Sequence, residues 1–240
     1  MNYERTMHHT PLQIVAVLNK GYVRLVDHMG NDLSVVNAAR VSYDKESPDF
    51  SDRDGRLLNF LVNEGHVSPL RHAALTYEVY APLMVARQWW KYAVGSTHLD
   101  DQIGWNESSR RYVTEDEQFY IPQTWRKAPA NSKQGSGDDF PESESLQYTY
   151  RLLDHIESCE KLYQEALADG MAPEQARLFL PAYSMYVRWR WTASLASVIH
   201  FLQQRLEHDA QKEIQDYAQA VFKLTSQHFP HVFSQVFPER

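Results

Sequence analysis

Apolar positions along this chain recur with two periods, and the switches between them mark out the elements. Residues 12–18 (Leu-Gln-Ile-Val-Ala-Val-Leu) and 22–27 are apolar and β-branched on either side of Lys20-Gly21, which predicts an N-terminal hairpin. Residues 33–43 predict a short helix. Ser51 is placed to cap the next helix, with Asp54 at its third position. Leu57, Phe60 and Leu61 then fall on one helical stripe, and Gly65 supplies the stop. Residues 73–80 alternate and predict a strand. Pro82 opens a helix at a position where its missing N–H leaves no bond unmade. Positions four apart share a helix face, so Arg87 and Lys91 point the same way, with Gln88 beside them.

Residues 126–145 are polar and rich in Ser, Pro, Gly and Asp, the composition of a mobile surface loop. A long helix is predicted over 145–168. A shorter one starts at Pro173, carries Arg177 and is stopped by Pro181. Residues 183–192 alternate as a strand, and helices are predicted over 194–205 and 208–228. In the last of these Ala210, Ile214, Tyr217, Ala218 and Val221 make one apolar stripe. No internal repeat and no domain boundary interrupts the pattern, so residues 1–240 read as one domain of the α+β class.

Composition narrows the function. At 240 residues and 43% hydrophobic content, the chain can bury a substantial core. A net charge of −7 argues against a nucleic-acid partner, which requires a basic face. The arginines are nevertheless clustered near 87–111 and 177–205, so a cationic pocket in an acidic protein is expected. The single cysteine, Cys159, permits no intrachain disulfide, which fits a cytoplasmic protein. The N-terminus has no apolar run of the secretory kind, and no stretch approaches the length of a membrane span, so no membrane association is expected.

The familiar nucleotide loops are missing: there is no GxxxxGK[ST] and no GxGxxG after a strand. Any phosphate site must therefore be built from side chains, and arginine, with its planar fork, is suited to it. A metal site is not expected, because His98, Asp100 and Asp101 lack ligand spacing. Cys159 lies mid-helix beside Glu157 and Glu160, which blunt a thiol, and no GxSxG is present. A chain with this inventory leaves hard chemistry to a cofactor. The densest concentration of binding groups runs from Val85-Ala86-Arg87-Gln88-Trp89-Trp90-Lys91-Tyr92 to Asn106-Glu107-Ser108-Ser109-Arg110-Arg111-Tyr112. Trp89, Trp90, Tyr92 and Trp105 serve either as core or as walls against a flat ring, and adjacent tryptophans on a helix cannot both face one ligand.

These two segments resemble the signature region of the flavin-dependent thymidylate synthases. Further blocks follow in the family's order over about residues 33–228. Gly65-His66-Val67-Ser68-Pro69 resembles its Gly-His-x-Thr/Ser-Pro element, and Phe119-Tyr120-Ile121-Pro122, Trp125-Arg126 and Lys133-Gln134-Gly135-Ser136 resemble a variant of some members. Ala176-Arg177-Leu178-Phe179-Leu180-Pro181 resembles its Ala-Arg-x-x-Leu-Pro block, and Trp191-Thr192 with Phe201-Leu202-Gln203-Gln204-Arg205 its last block. The departures lie on the flavin side. Lys91-Tyr92-Ala93 stands where Arg-His-Arg is usual, fifteen residues separate Ala93 from Ser109 instead of seven, and Ser194, Ala196 and His200 replace Asn, Arg and Asn.

The resemblance implies an α+β fold with a mixed sheet flanked by helices, and a homotetramer with active sites between subunits. It implies conversion of dUMP to dTMP with FAD as cofactor and methylenetetrahydrofolate and NADPH as co-substrates. Arg205 is then the expected catalytic residue, polarising the uracil. Gln88, Lys91, Glu107, Ser108, Ser109, Arg110, Arg111, Arg177 and Arg205 are the expected nucleotide contacts, and Ser68, Lys91, Tyr92, Ala93, Glu107, Ser194 and His200 the flavin contacts. Two alternatives accompany this reading: an enzyme of the same fold making another 5-substituted pyrimidine nucleotide, such as a hydroxymethyl product, and a nucleotide-binding homologue without activity.

Overall fold

The computed structural model describes residues 13–94, 104–108, 118–130 and 135–240. Alternation builds its sheet. In β3 (Ala74–Pro82) the side chains of Leu75, Tyr77, Val79 and Ala81 are buried, the period of two expected of a strand with one face on a core. β3 runs antiparallel to β5 (Tyr186–Ser194). Tyr77 pairs with Trp191 and Val79 with Trp189 on the core side, while Thr76 pairs with Thr192 and Glu78 with Arg190 on the other. The polar side is ordered as well: the Thr76 and Thr192 hydroxyls lie 2.9 Å apart, and Glu78 accepts from Tyr22 Oη at 2.9 Å and Arg24 Nη2 at 2.8 Å.

β1 (Gln13–Val17) and β2 (Gly21–Met29) form the expected hairpin, and β4 (Gly104–Glu107) completes the order β1-β2-β3-β5-β4. All four pairings are antiparallel, where the resemblance implied a mixed sheet. The connections explain this. Met29, at the end of β2, pairs with Ala74 at the start of β3, and Pro82, at the end of β3, pairs with Tyr186 at the start of β5. Each excursion returns to the end of the sheet it left, so the next strand runs back alongside. The hairpin itself depends on Gly21. A Cβ there would meet Tyr217 Oη at 1.8 Å, and that hydroxyl donates to the Tyr80 carbonyl at 2.7 Å.

The helices are α1 (Asp32–Arg40), α2 (Asp52–Asn63), α3 (Leu83–Val94), α4 (Glu142–Ala168), α5 (Pro173–Ala176), α6 (Leu195–Arg205), α7 (Lys212–Ser226) and α8 (Pro230–Val236). The predicted cap of α2 is present: Asp54 accepts from the Ser51 backbone N–H at 2.9 Å. Asp54 is wholly buried and pairs with Arg40 at 2.5 Å, which ties α2 to α1. Several ends differ from the periodicity. The first helix gives way to a 3-10 turn at Val41–Tyr43, and α7 begins at Lys212 because the chain first turns through 206–211. α4 starts at Glu142, just after Pro141. Before it, Arg126 bridges Asp139, and Phe140 N donates to the Trp125 carbonyl at 2.7 Å, so the polar stretch folds back on itself. α8 was not apparent from the pattern; the buried Asp32 carboxylate anchors it by accepting from His231 N at 2.9 Å and Val232 N at 3.0 Å.

The helices cover the core face of the sheet, with α7 on β1 and β2, and α3 and α6 on β5. Trp89 from α3 is fully buried there, stacked on Phe201 of α6 at 4.4 Å and edge-on to Trp189 and Trp191 at 5.5 Å. Edge and stacked contacts of this kind add to the area each ring buries. Among the described residues no helix is long and apolar enough to cross a membrane.

Candidate functional site

Burial of Trp89 fixes the rotation of α3. Its neighbours Gln88 and Lys91 then open onto a cavity of about 800 Å³, where Arg205 joins them from the last turn of α6. Three of the expected nucleotide-binding residues therefore share one cavity. The opposite wall comes from distant parts of the chain: Tyr120, Trp125 and Arg126 from the segment after β4, and Gln211 and Glu213 at the start of α7.

Hydrogen bonds link the two walls. Gln88 Nε2 donates to Gln211 Oε1, and Gln211 Nε2 donates to Glu213 Oε2 at 2.8 Å. Glu213 also accepts from Arg126 Nη2 at 2.5 Å and from Tyr120 Oη at 3.2 Å. Burial opposes the Glu213 charge, yet the bonds from Arg126 and Gln211 outweigh it and hold the carboxyl below the usual glutamate range. Burial and the adjacent Glu213 carboxylate together push the Tyr120 phenol well above its ordinary value, so it stays a neutral donor. The Glu213 charge is thus engaged within the wall, while Gln88 keeps its amide oxygen as an acceptor and Lys91 and Arg205 bring positive charge to the opening.

Arg205 is held from behind. Its Nε donates to Tyr92 Oη at 2.7 Å, and its guanidinium carbon lies 5.1 Å from the Tyr92 ring centroid. The Tyr92 ring packs edge-on against Phe201 at 5.4 Å and lies 5.7 Å from the ring of His200.

The expected flavin contacts divide. His200, on α6, lines a second cleft of about 270 Å³ together with Gly65, His66, Val67, Gln203 and Ala196, one of the positions that depart from the family pattern. Ser68 is exposed at the start of the adjacent 3-10 turn, Ser68–His72. Ser194 is buried, and its hydroxyl caps α6 by accepting from Ser197 N at 3.2 Å. Ala93 belongs to α3, and its side chain lies outside the described residues, as do Ser109, Arg110, Arg111 and the His98-to-Asp101 segment.

Other expected nucleotide contacts are not gathered at the cavity. Arg177 is exposed, with Nε donating to the Glu174 carbonyl at 3.1 Å. Glu107 and Ser108 are exposed at the end of β4. Ser108 extends the ladder beside β5: its N donates to the Arg188 carbonyl at 2.8 Å, and its Oγ accepts from Arg188 N at 3.1 Å. Sequence reasoning quoted Tyr120 and Arg126 only as parts of a block, and it missed Gln211 and Glu213 altogether. They lie between Ala210 and Ile214 of the apolar stripe, where polar residues equally suit an ordinary solvated first turn.

Fold and cavity together define a class: an α+β protein with a cationic, aromatic-walled pocket suited to a small anion that carries a flat ring. The family model described as thymidylate synthase complementing protein matches residues 24–231. With relatives at more than a third identity over nine-tenths of its length, the chain belongs to the flavin-dependent thymidylate synthase family. The flavin-dependent thymidylate synthase of Thermosipho africanus is 37% identical over 219 residues, which span 90% of this chain and 91% of that one. The enzyme of the same name from Thermotoga neapolitana is 37% identical over 220 residues, covering 91% and 92%. Among solved structures, a UMP/dUMP methylase from Streptomyces cacaoi bound with 5-Br dUMP superposes with a TM-score of 0.76 at 26% identity, covering 92% of this chain and 96% of that one.

Proposed function

We propose that this protein is a flavin-dependent thymidylate synthase that methylates dUMP to dTMP. Methylenetetrahydrofolate is the one-carbon donor and NADPH the reductant. The observation that carries the reading is the convergence of Gln88, Lys91 and Arg205 on one cavity, at positions that match the family's nucleotide-binding blocks. The likeness to a structure named as a UMP/dUMP methylase supports the same ligand class.

In this reading Arg205 binds a uracil carbonyl and draws electron density from the ring. The Gln88 amide oxygen accepts the pyrimidine N–H, and Lys91 meets the phosphate or the flavin. Glu107, Ser109, Arg110, Arg111 and Arg177 complete the nucleotide contacts, while Ser108 holds the end of β4 against Arg188 of β5. Arg177 is not among the cavity's lining residues and precedes Leu178, which is 82% exposed, while Tyr183, 70% exposed, lines the cavity. Exposed apolar residues next to an expected ligand group favour completion of the site by a second copy, within a homotetramer.

The second cleft suits part of a flavin nucleotide. His66, His200 and Gln203 offer polar groups, and Ala196 leaves space where the family carries a larger side chain. At about 270 Å³ it holds only a portion of FAD, so the remaining contacts belong to Ser68, Lys91, Ala93, Glu107 and Ser194 and to the neighbouring copy. Bound there, the flavin supplies reducing equivalents. The protein side chains hold the nucleotide and exclude water.

The test is incubation of the purified protein with FAD, dUMP, methylenetetrahydrofolate and NADPH, followed by mass analysis of the nucleotide. A product heavier than dUMP by one CH2 is expected, together with its loss in Arg205→Ala. A hydroxymethyl product would replace this reading with the same-fold alternative. Saturable dUMP binding without flavin binding would leave a nucleotide-binding homologue.

A further inference from the structure

We infer that Tyr92 is a positioning residue for Arg205 rather than a flavin contact. This deepens the nucleotide reading of the cavity and rests on it.

The argument begins with the shape of arginine. A guanidinium has one edge shared by Nε and one terminal nitrogen, and another formed by its two terminal nitrogens. Tyr92 Oη takes the Nε–H at 2.7 Å, and the Tyr92 ring lies 5.1 Å from the guanidinium carbon. One tyrosine therefore uses both of its recognition elements, hydroxyl and π face, on the same cation. With Nε engaged behind, the terminal nitrogens are left to face the cavity that Arg205 lines. That fork matches a carbonyl or phosphate oxygen pair.

Tyr92 is itself fixed. Its ring meets Phe201 edge-on at 5.4 Å, and Phe201 is fully buried against Trp89. The support therefore runs from the core, through Phe201 and Tyr92, to the guanidinium. Arg205 sits in the last turn of α6, where an unsupported long side chain would sample many rotamers. The family's usual residue at position 92 is histidine, so the support here belongs to this chain's own sequence.

A double-mutant cycle on the full-length protein tests this, with dUMP and FAD affinities measured separately for wild type, Tyr92→Phe, Arg205→Ala and the double variant. Phenylalanine keeps the ring and removes only the acceptor. The expected result is a weakening of dUMP binding by about tenfold or more in Tyr92→Phe, with FAD affinity within twofold. In the Arg205→Ala background the same change should cost less than twofold, because its object is gone. A purely structural role would weaken both ligands, and its cost would multiply with that of Arg205→Ala. Either of those results, or unchanged dUMP affinity in Tyr92→Phe, overturns the inference. If wild type binds no dUMP, the nucleotide reading fails on its own. Crystal structures of wild type and Tyr92→Phe then decide about Tyr92: a displaced Arg205 side chain in the variant upholds the positioning role, and an unmoved one refutes it.

Discussion

Arg126 and Glu213 meet at 2.5 Å across the wall of the main cavity, the carboxylate almost fully buried and the guanidinium partly open to solvent. The pair joins two segments 87 residues apart, and through Gln211 it also reaches Gln88.

Glu213→Gln should therefore act on both stability and ligand binding. It leaves Arg126 without its counter-charge, and the Arg126 Nε is already buried with no partner among the described residues. Breaking a buried pair typically costs about 3–5 kcal/mol; solvent at Arg126 reduces this to about 1–3 kcal/mol. Urea denaturation should show that loss, and dUMP titration should show weaker binding because Gln88 loses its backing. An unchanged urea midpoint would mean that the pair is not part of the folded wall.

Asp54 should dominate the acid side of the stability curve. Burial opposes its charge, but hydrogen bonds from Ser51, Arg40 and Ser47 outweigh that and hold its carboxyl far below the usual aspartate range. A depressed folded-state pKa gives stability that is present above the unfolded value, near pH 3.9, and lost as pH falls below it. Asp54→Asn should cost about 3 kcal/mol at neutral pH and flatten the decline in stability below about pH 4. Parallel acid limbs for wild type and variant would remove Asp54 from that account.

Gly21→Ala should destabilise the hairpin by about 1–3 kcal/mol, the usual range for forcing extra volume into a packed position. The added methyl meets the Tyr217 hydroxyl and the Tyr80 carbonyl. In a Tyr217→Phe background the same substitution should cost less, because the nearest clashing atom is gone. Equal costs in both backgrounds would place the strain in the backbone instead.

Ser108→Ala should cost about 0.5–1.5 kcal/mol of stability through the lost bond from Arg188 N, while dUMP affinity stays within twofold. A large loss of dUMP affinity with stability unchanged would instead restore Ser108 to the nucleotide contacts.

Much of the scaffold was legible because its signals are local. Alternation in β3 depends on adjacent residues, the Ser51–Asp54 cap spans three positions, and Arg87 and Lys91 lie one helical turn apart. The antiparallel course of the whole sheet was not legible, because it depends on where each helical excursion re-enters. The near wall of the cavity was readable, since Gln88 and Lys91 lie on one helix and Arg205 lay in a recognisable block. The far wall was not: Tyr120, Arg126 and Glu213 acquire their meaning only from one another, across 93 residues between Tyr120 and Glu213. Ser108 has a second role that the pattern does not announce. Its hydroxyl lies inside a binding motif, and its bond from Arg188 N, across 80 residues, has no signal in the local sequence.

The stack of Trp89 on Phe201, with centroids 4.4 Å apart, has a mechanical consequence. It packs α3 directly on α6, so the helix bearing Gln88 and Lys91 is joined through the core to the helix bearing Arg205. The spacing between amide and guanidinium is then set when the core forms and not when a ligand arrives. On the proposed nucleotide reading, trimming Phe201 should therefore broaden the range of rings the cavity accepts, although Phe201 itself is buried in the core.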